Sequence, residues 1–167
     1  RPKEAGSYLN LAVALTQLNR GGEARSVLEQ GLLALPRNPA LLAGLGAAEY
    51  QVGSYAQAVT AFRQSLEIEP DNYRVLNDLA YALCEHLHKP AEAEMLAGKA
   101  IQAGVDDASF WDTWGVILFR LGRLEESQQA FERALGSSRI RDSTRQTTTF
   151  HLGRLLMGVD PARGREL

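Results

Sequence analysis

Apolar residues recur along this chain at steps of three and four positions. Leu42, Leu45 and Gly46 show the spacing in one segment, and Phe62 and Leu66 show it in the next. This period places apolar side chains on one face of an α-helix. The pattern predicts helices at about 5–18, 22–34, 39–52, 55–68, 73–87, 90–103, 108–121 and 124–136.

Residues that favour turns separate these helices. The glycines concerned are Gly21, Gly22, Gly53 and Gly122. Glycine readily adopts the left-handed conformation that ends many helices, so we expect each pair of helices to form a hairpin. Pro90 suits the first turn of the sixth helix. Asp106 and Asp107 are predicted to cap the seventh helix.

The segments repeat. Leu11, Leu45, Leu79 and Trp114 are separated by 34, 34 and 35 residues, and each is followed by Ala or Gly. A second small position recurs at Ala24, Ala58, Ala93 and Ser127, and the residues four positions later are Leu28, Phe62, Ala97 and Phe131. Two helices approach closely where one of them offers a small residue and the other fills the gap. A lone hairpin cannot bury both of its apolar faces, so neighbouring hairpins are predicted to stack.

These positions resemble the tetratricopeptide repeat, whose signature is W-x2-L-G-x2-Y, then A-x3-F, then P at a 34-residue period. The second repeat carries Leu42-x2-Leu45-Gly46, Ala58-x3-Phe62 and Pro70. The resemblance implies an all-α fold, a right-handed α-solenoid of antiparallel helix-turn-helix units. It predicts one array over 1–167, with repeats at about 5–38, 39–72, 73–107 and 108–141, and with a partial fifth repeat or capping helix at 143–167.

Two positions depart from the family pattern. Glu49 stands where the family places an aromatic residue, and Ala97 stands where it places a large one. The third repeat also carries one extra residue near Lys89. We therefore expect local packing to be unusual at Glu49 and Ala97.

Composition narrows the classes of function. The chain has 18 basic and 20 acidic side chains, a net charge of −2 and a pI of about 6.0. A nucleic-acid or membrane-surface protein is usually clearly basic, so neither partner is expected. Residues 136–167 carry a net charge of +3, interpreted as a solvated last helix.

No apolar run reaches the roughly 18 residues of a membrane span, so membrane insertion is not expected. The first residue is Arg1, not Met, which indicates a piece of a longer protein.

Candidate chemistry is sparse. The sequence contains no glycine-rich phosphate loop, no His-Glu-x-x-His motif and no nucleophile elbow, so we predict no enzyme and no cofactor. Cys84 and His88 lie one helical turn apart, with His86 between them, which raises the alternative of a metal site. No second pair of ligands is near in sequence, so a weakly reactive thiol is the preferred interpretation. A single cysteine fits a reducing compartment such as the cytoplasm without requiring one. Trp111 and Trp114 are interpreted as core residues.

The resemblance also implies a binding surface, because in this family the first helix of each unit lines the concave face. Carried onto this chain, the predicted partner-binding groove contains Leu9, Val13, Ala47, Tyr50, Arg74, Asn77, Tyr81, Asp112, Val116, Phe119, Arg120 and Arg154. The same carry-over also places Thr16, Gln17, Ala43 and Gln51 in the groove, and Cys84 in the groove or at its edge. The family's clamp for a C-terminal carboxylate needs Lys and Asn where this chain has Leu9 and Val13, so that clamp is not expected.

The main hypothesis is a non-catalytic scaffold that binds a peptide or helix of a partner protein by apolar contacts in the groove, with a few polar groups fixing its register. An alternative is a regulatory, targeting or self-assembly segment of a larger multidomain protein, with self-association through the ends of the solenoid. RNA binding by helical repeats is disfavoured because the groove has no basic stripe.

Overall fold

The computed structural model describes residues 2–104, 107–138 and 140–159, and over these ranges the chain forms nine α-helices and no strands. The helices are α1 (Pro2–Gln17), α2 (Gly21–Ala34), α3 (Pro39–Gln51), α4 (Tyr55–Leu66), α5 (Tyr73–Glu85), α6 (Pro90–Gln102), α7 (Ala108–Arg120), α8 (Leu124–Leu135) and α9 (Asp142–Val159). Each predicted helix is present, with ends shifted by at most three residues. The predicted fold class, all-α helical-hairpin repeats, is therefore confirmed.

The turns agree with the prediction at most positions. Gly53 and Gly122 have φ angles of +80° and +77°, the left-handed conformation that a side chain would strain. The turn before α2 was predicted wrongly, because Asn19 at φ +58° adopts that conformation there. Gly21 instead begins α2, where a Cβ atom would lie only 2.9 Å from Gln51 Oε1. A side chain at Gly21 would therefore displace the end of the Gln51 side chain.

Two helix starts follow their sequence signals. Pro90 lies at the first position of α6, where its missing N–H removes no helical hydrogen bond. The side chain of Asp107 accepts a hydrogen bond from the backbone N–H of Ser109 at 2.9 Å and so caps α7. The other predicted cap, Asp106, lies outside the described residues.

The chain divides into two compact units, 1–82 and 83–167, with the boundary inside α5. In the first unit, α1 packs against α2 and α3, α2 packs against α3, and α3 packs against α4. In the second unit, α6 packs against α7, α7 packs against α8, and α9 packs against both α7 and α8. The prediction that 1–167 forms one continuous array stays a prediction. The end of the predicted fifth repeat, 160–167, lies outside the described residues.

The predicted pairing of small and large residues is present in both units. A Cβ atom on Gly46 would lie 2.5 Å from the Phe62 ring, and one on Gly115 would lie 2.5 Å from the Phe131 ring. Both phenylalanines are fully buried. Ser127 adds a polar contact in the second unit, where its Oγ donates a hydrogen bond to the Gly115 carbonyl oxygen at 2.7 Å. Glycine is therefore required because the helices touch at these points.

The unusual positions are accommodated by local contacts. Glu49 is buried, and its Oε2 lies 3.8 Å from Arg25 Nη1 without a hydrogen-bond partner. Ala97 is also buried. The two tryptophans were predicted in the core but are only half-buried. The Arg133 guanidinium lies over the Trp111 ring, 4.1 Å from its centre, and this cation–π contact keeps one face of the ring at the surface.

Candidate partner-binding surface

In the first unit, four of the predicted groove residues, Ala47, Tyr50, Asn77 and Tyr81, come together. Tyr50 on α3 and Tyr81 on α5 have ring centres 6.3 Å apart, with the ring planes at 54°. Asn77 lies one turn before Tyr81 on α5. Together with Ala47, Phe62 and Asp78 these residues line a cavity of about 260 Å³. Tyr55 contacts the Tyr50 ring edge-on at 5.3 Å and so fixes one wall of the cavity.

Asn77 is the least expected member of this group. Its side chain is only 7% exposed, and its Oδ1 has no hydrogen-bond partner among the described residues. Most buried polar atoms in folded proteins are paired, because an unpaired one loses its hydration without replacement. Asn77 thus lines the cavity and holds a buried amide oxygen whose hydrogen-bonding capacity is unused among the described residues.

The other predicted residues of this unit are distributed differently. Val13 and Arg74 are exposed, as a binding surface requires. Leu9 is half-buried and packs against the core of α1, α2 and α3. Gln51 Nε2 donates a hydrogen bond to the Thr16 carbonyl oxygen at 2.9 Å. Gln51 therefore serves the contact between helices α1 and α3.

In the second unit, the inward side of α7 contacts α9. His151 Nδ1 lies 3.0 Å from Asp112 Oδ1, and both side chains are about 10% exposed. Val116 is buried too, whereas Phe119 is half-buried and Arg154 is exposed. Asp112 and Val116 were predicted to face a partner, and the structure places them in the packing of the chain itself.

Charged residues surround this contact. Arg120 Nε donates a hydrogen bond to Glu85 Oε1 at 2.7 Å. Burial raises the pKa of Glu85, but the hydrogen bond and charge of Arg120, with the nearby charges of His151 and Arg154, outweigh burial and leave this pKa below its ordinary value. The residues lining the adjoining cavity of about 10 Å³, roughly the space of one water molecule, are Glu85, Val116, Phe119, Arg120, Phe131, His151 and Arg154.

Sequence reasoning missed Glu85 and His151. A signal existed for Glu85, because it precedes Arg120 by 35 residues, one repeat period, and the two charges are opposite. No such signal existed for His151, because the longer connection before α9 breaks the repeat phase. The pairing with Asp112 could be seen only once α9 was placed against α7.

Cys84 was predicted in the groove or at its edge, and the structure buries it instead. Burial, together with the nearby charge of Glu85, raises the pKa of this thiol to about 11. Over the described ranges, His, Cys, Asp and Glu side chains form no group of three or more that could hold a metal ion.

None of the helices described combines the length and apolar character that crossing a bilayer demands.

Comparison with known proteins now identifies the repeats. Models of the tetratricopeptide repeat match residues 5–33, 40–72, 61–95 and 108–140, which together cover more than half of the chain. This chain belongs to the tetratricopeptide repeat family. The matched segments at 40–72 and 108–140 coincide with the second and fourth repeats expected from spacing.

Individual relatives agree with this assignment. The TPR repeat-containing protein PA4667 of Pseudomonas aeruginosa is 30% identical over 128 residues, 77% of this chain and 22% of its own length. Protein FlbA of Caulobacter vibrioides is 31% identical over 134 residues, and this chain again spans 22% of it. MamA from Desulfovibrio magneticus superposes with a TM-score of 0.76 at 21% identity, covering 98% of this chain and 90% of that one. The tetratricopeptide fold is a protein-interaction fold, typically a non-catalytic scaffold.

Proposed function

We propose that this chain is a non-catalytic scaffold that holds a peptide or helix of a partner protein on the inward faces of its first helices. The observation that carries the proposal is the cavity of about 260 Å³ in the first unit, one of whose lining residues, Asn77, holds an amide oxygen with no hydrogen-bond partner among the described residues. Concave sites with apolar walls and a few polar groups are where proteins bind ligands.

The residues of this cavity suit peptide recognition. Aromatic side chains contribute much of the energy at interfaces, because they bury a large area with few rotatable bonds. Tyr50 and Tyr81 provide two such rings, both half-buried in the free chain. Asn77 can accept a hydrogen bond from a partner's backbone N–H and can donate one to its carbonyl oxygen. These contacts would orient a peptide without demanding one particular sequence.

A binding comparison tests this proposal. The intact chain would capture partners from a lysate of its source, and the affinity of the captured protein would then be measured for wild-type and Tyr81→Ala. We expect Tyr81→Ala to weaken binding by about 1–3 kcal/mol while helicity is retained. Gln64→Ala is the matched control, because Gln64 is exposed on the second helix of its hairpin and lies outside the cavity. Equal affinities for Tyr81→Ala and Gln64→Ala would reject the groove as the binding site.

A second candidate function is self-assembly within a larger protein. Apolar side chains are exposed on α1 and the residue that follows it, and on α9: Leu11, Val13, Leu18, Phe150 and Met157. The chain spans only 22% of the curated relatives above, so a role within a longer polypeptide fits this alternative. Sedimentation over a range of concentrations distinguishes the two functions. Association that disappears in Leu18→Glu or Met157→Glu would favour self-assembly, whereas a monomer at all concentrations would favour the scaffold.

A further inference from the structure

The walls of the cavity in the first unit share one electrostatic character. Asn77 presents an unpaired oxygen, Asp78 contributes a carboxylate, and Tyr50 and Tyr81 contribute the electron-rich faces of their rings. We propose that this cavity receives the positively charged end of a lysine or arginine side chain from the partner. The inference rests on the proposed function and specifies the chemistry of its ligand.

The unpaired oxygen requires a hydrogen-bond donor. Asn77 Oδ1 is buried in the free chain and has no partner among the described residues. Ammonium and guanidinium groups carry three and five N–H donors and no acceptors, so either can satisfy this oxygen. Hydrogen bonds with a charged donor are also shorter and stronger than neutral ones. An aliphatic side chain in the cavity would leave the oxygen unpaired.

The two rings suit a cation for a separate reason. A cation is attracted to an aromatic face when it lies within about 6 Å of the ring centre. The Tyr50 and Tyr81 centres are 6.3 Å apart with the planes tilted by 54°, so a charge in the cavity beside the pair can lie within this distance of both rings. The Tyr55 ring also contacts Tyr50, with 5.3 Å between the ring centres, and helps to hold it in place. Because these rings are already fixed, binding requires little further ordering of side chains.

The equivalent place in the second unit already contains cations. Val116, Phe119 and Phe131 follow Ala47, Tyr50 and Phe62 by 69 residues each and line the small cavity there. That cavity is also lined by Arg120 and Arg154. The chain's own arginines thus occupy the site in one unit. In the other unit no lysine or arginine lines the cavity over the described ranges, and Arg74, one turn before Asp78, is exposed and outside it.

A peptide selection with an isosteric probe tests the charge preference. A phage-displayed library of random peptides would be selected on the intact chain, and selected peptides that contain arginine would be synthesised with arginine or with citrulline. Citrulline keeps nearly the same shape but is uncharged, and a carbonyl oxygen replaces one of the two terminal nitrogens of the guanidinium. We expect lysine or arginine to be enriched at one position of the peptides, and citrulline there to weaken binding by about tenfold, as for a largely desolvated cation on two rings.

Variants locate the preference. Tyr81→Leu and Asn77→Leu should bind the arginine and citrulline peptides with equal affinity. Tyr81→Phe should keep the wild-type ratio of arginine to citrulline affinity. Asn77→Asp, which adds a negative charge at the same size, should increase it. Tyr73→Leu is the control, because Tyr73 is a half-buried tyrosine of the same helix outside the cavity. Circular dichroism of each variant checks that the helices are retained.

The outcomes separate the two proposals. Peptides that depend on Tyr81 but bind equally with arginine and citrulline would overturn the cation pocket and leave the scaffold function standing. Peptides that bind the Tyr81 and Asn77 variants as tightly as the wild-type chain would overturn both proposals. A library that yields no binding peptide would also count against both, because a preformed pocket of this kind should select ligands from random sequences.

Discussion

The same position of the repeat contains a cavity of about 260 Å³ in the first unit and one of about 10 Å³ in the second. Ala47 lines the larger cavity, and Val116, which lines the smaller one, occupies the equivalent position. Asp78 and Tyr81 likewise correspond to His151 and Arg154, each 73 residues later. The second unit thus has bulkier and cationic side chains where the first leaves space. Repeats that share one backbone can therefore differ in whether their inward face is open to a ligand.

The hairpins beneath these cavities are built alike. Gly46 faces Phe62 in one, and Gly115 faces Phe131 in the other, with the same close approach. The residues that make the fold are thus conserved between the two units of this chain, while the residues that would meet a ligand are not. Stability should depend on the first set and binding on the second.

The largest effect is expected from the buried rings. Phe62→Ala and Phe131→Ala should each lower the free energy of unfolding by about 3–5 kcal/mol, because each leaves a large void beneath a helix crossing. Urea denaturation followed by circular dichroism measures both. If one of them cost less than about 1 kcal/mol, the two hairpins would not be equivalent.

The glycines opposite these rings should give the next largest effect. Gly46→Ala and Gly115→Ala should each destabilise the protein by about 1–3 kcal/mol, because the new methyl group overlaps a ring that is buried on all sides. Gly6→Ala on α1 is the control, since nothing lies within 4 Å of its added Cβ. It should be neutral or stabilising by up to about 1 kcal/mol, because alanine favours a helix more than glycine does. Shifts of the melting temperature with the same sign in all three variants would contradict the close-approach explanation.

A smaller and more local effect is expected where α9 packs on α7. Asp112→Ala leaves the His151 ring nitrogen buried without its carboxylate, at a cost of about 1–2 kcal/mol. Amide hydrogen exchange should accelerate in α9 and remain unchanged in α3 and α4. The control Thr147→Ala, at an exposed position of α9, should change neither. Uniform acceleration over the whole chain would show that the pair supports more than α9.

The smallest effect concerns pH. The pKa of Glu85 is lowered in the folded chain, so the unfolded state binds its proton more readily. Its contribution is complete above the unfolded pKa and is lost as the pH falls through the folded pKa. Glu85→Gln should therefore cost under about 1 kcal/mol at neutral pH and nothing in strong acid, as for a partly exposed ion pair. Thermal melts of both proteins at several pH values measure the difference, with exposed Glu67→Gln as control. A gap that widens in acid would contradict the sign.

The sequence by itself determined the helices, the hairpins and the glycine–phenylalanine contacts. These follow from the three- and four-residue spacing of apolar positions and from the recurrence of small and large residues every 34 or 35 positions. Both signals are local or periodic, so one chain contains several copies of the same evidence. The position of Tyr50 and Tyr81 on inward faces followed from the family resemblance for the same reason.

Only the tertiary structure decided which inward faces are open. Asn77 and Asp112 occupy equivalent positions and are both buried, yet one is left with an unpaired oxygen and the other contacts His151. That Asn19 rather than Gly21 adopts the left-handed conformation in the first turn also depended on neighbours distant in sequence, as did the burial of Cys84. Cavity volume and hydrogen-bond pairing are set by side chains from several helices at once, and a repeat pattern read along one chain does not contain that information.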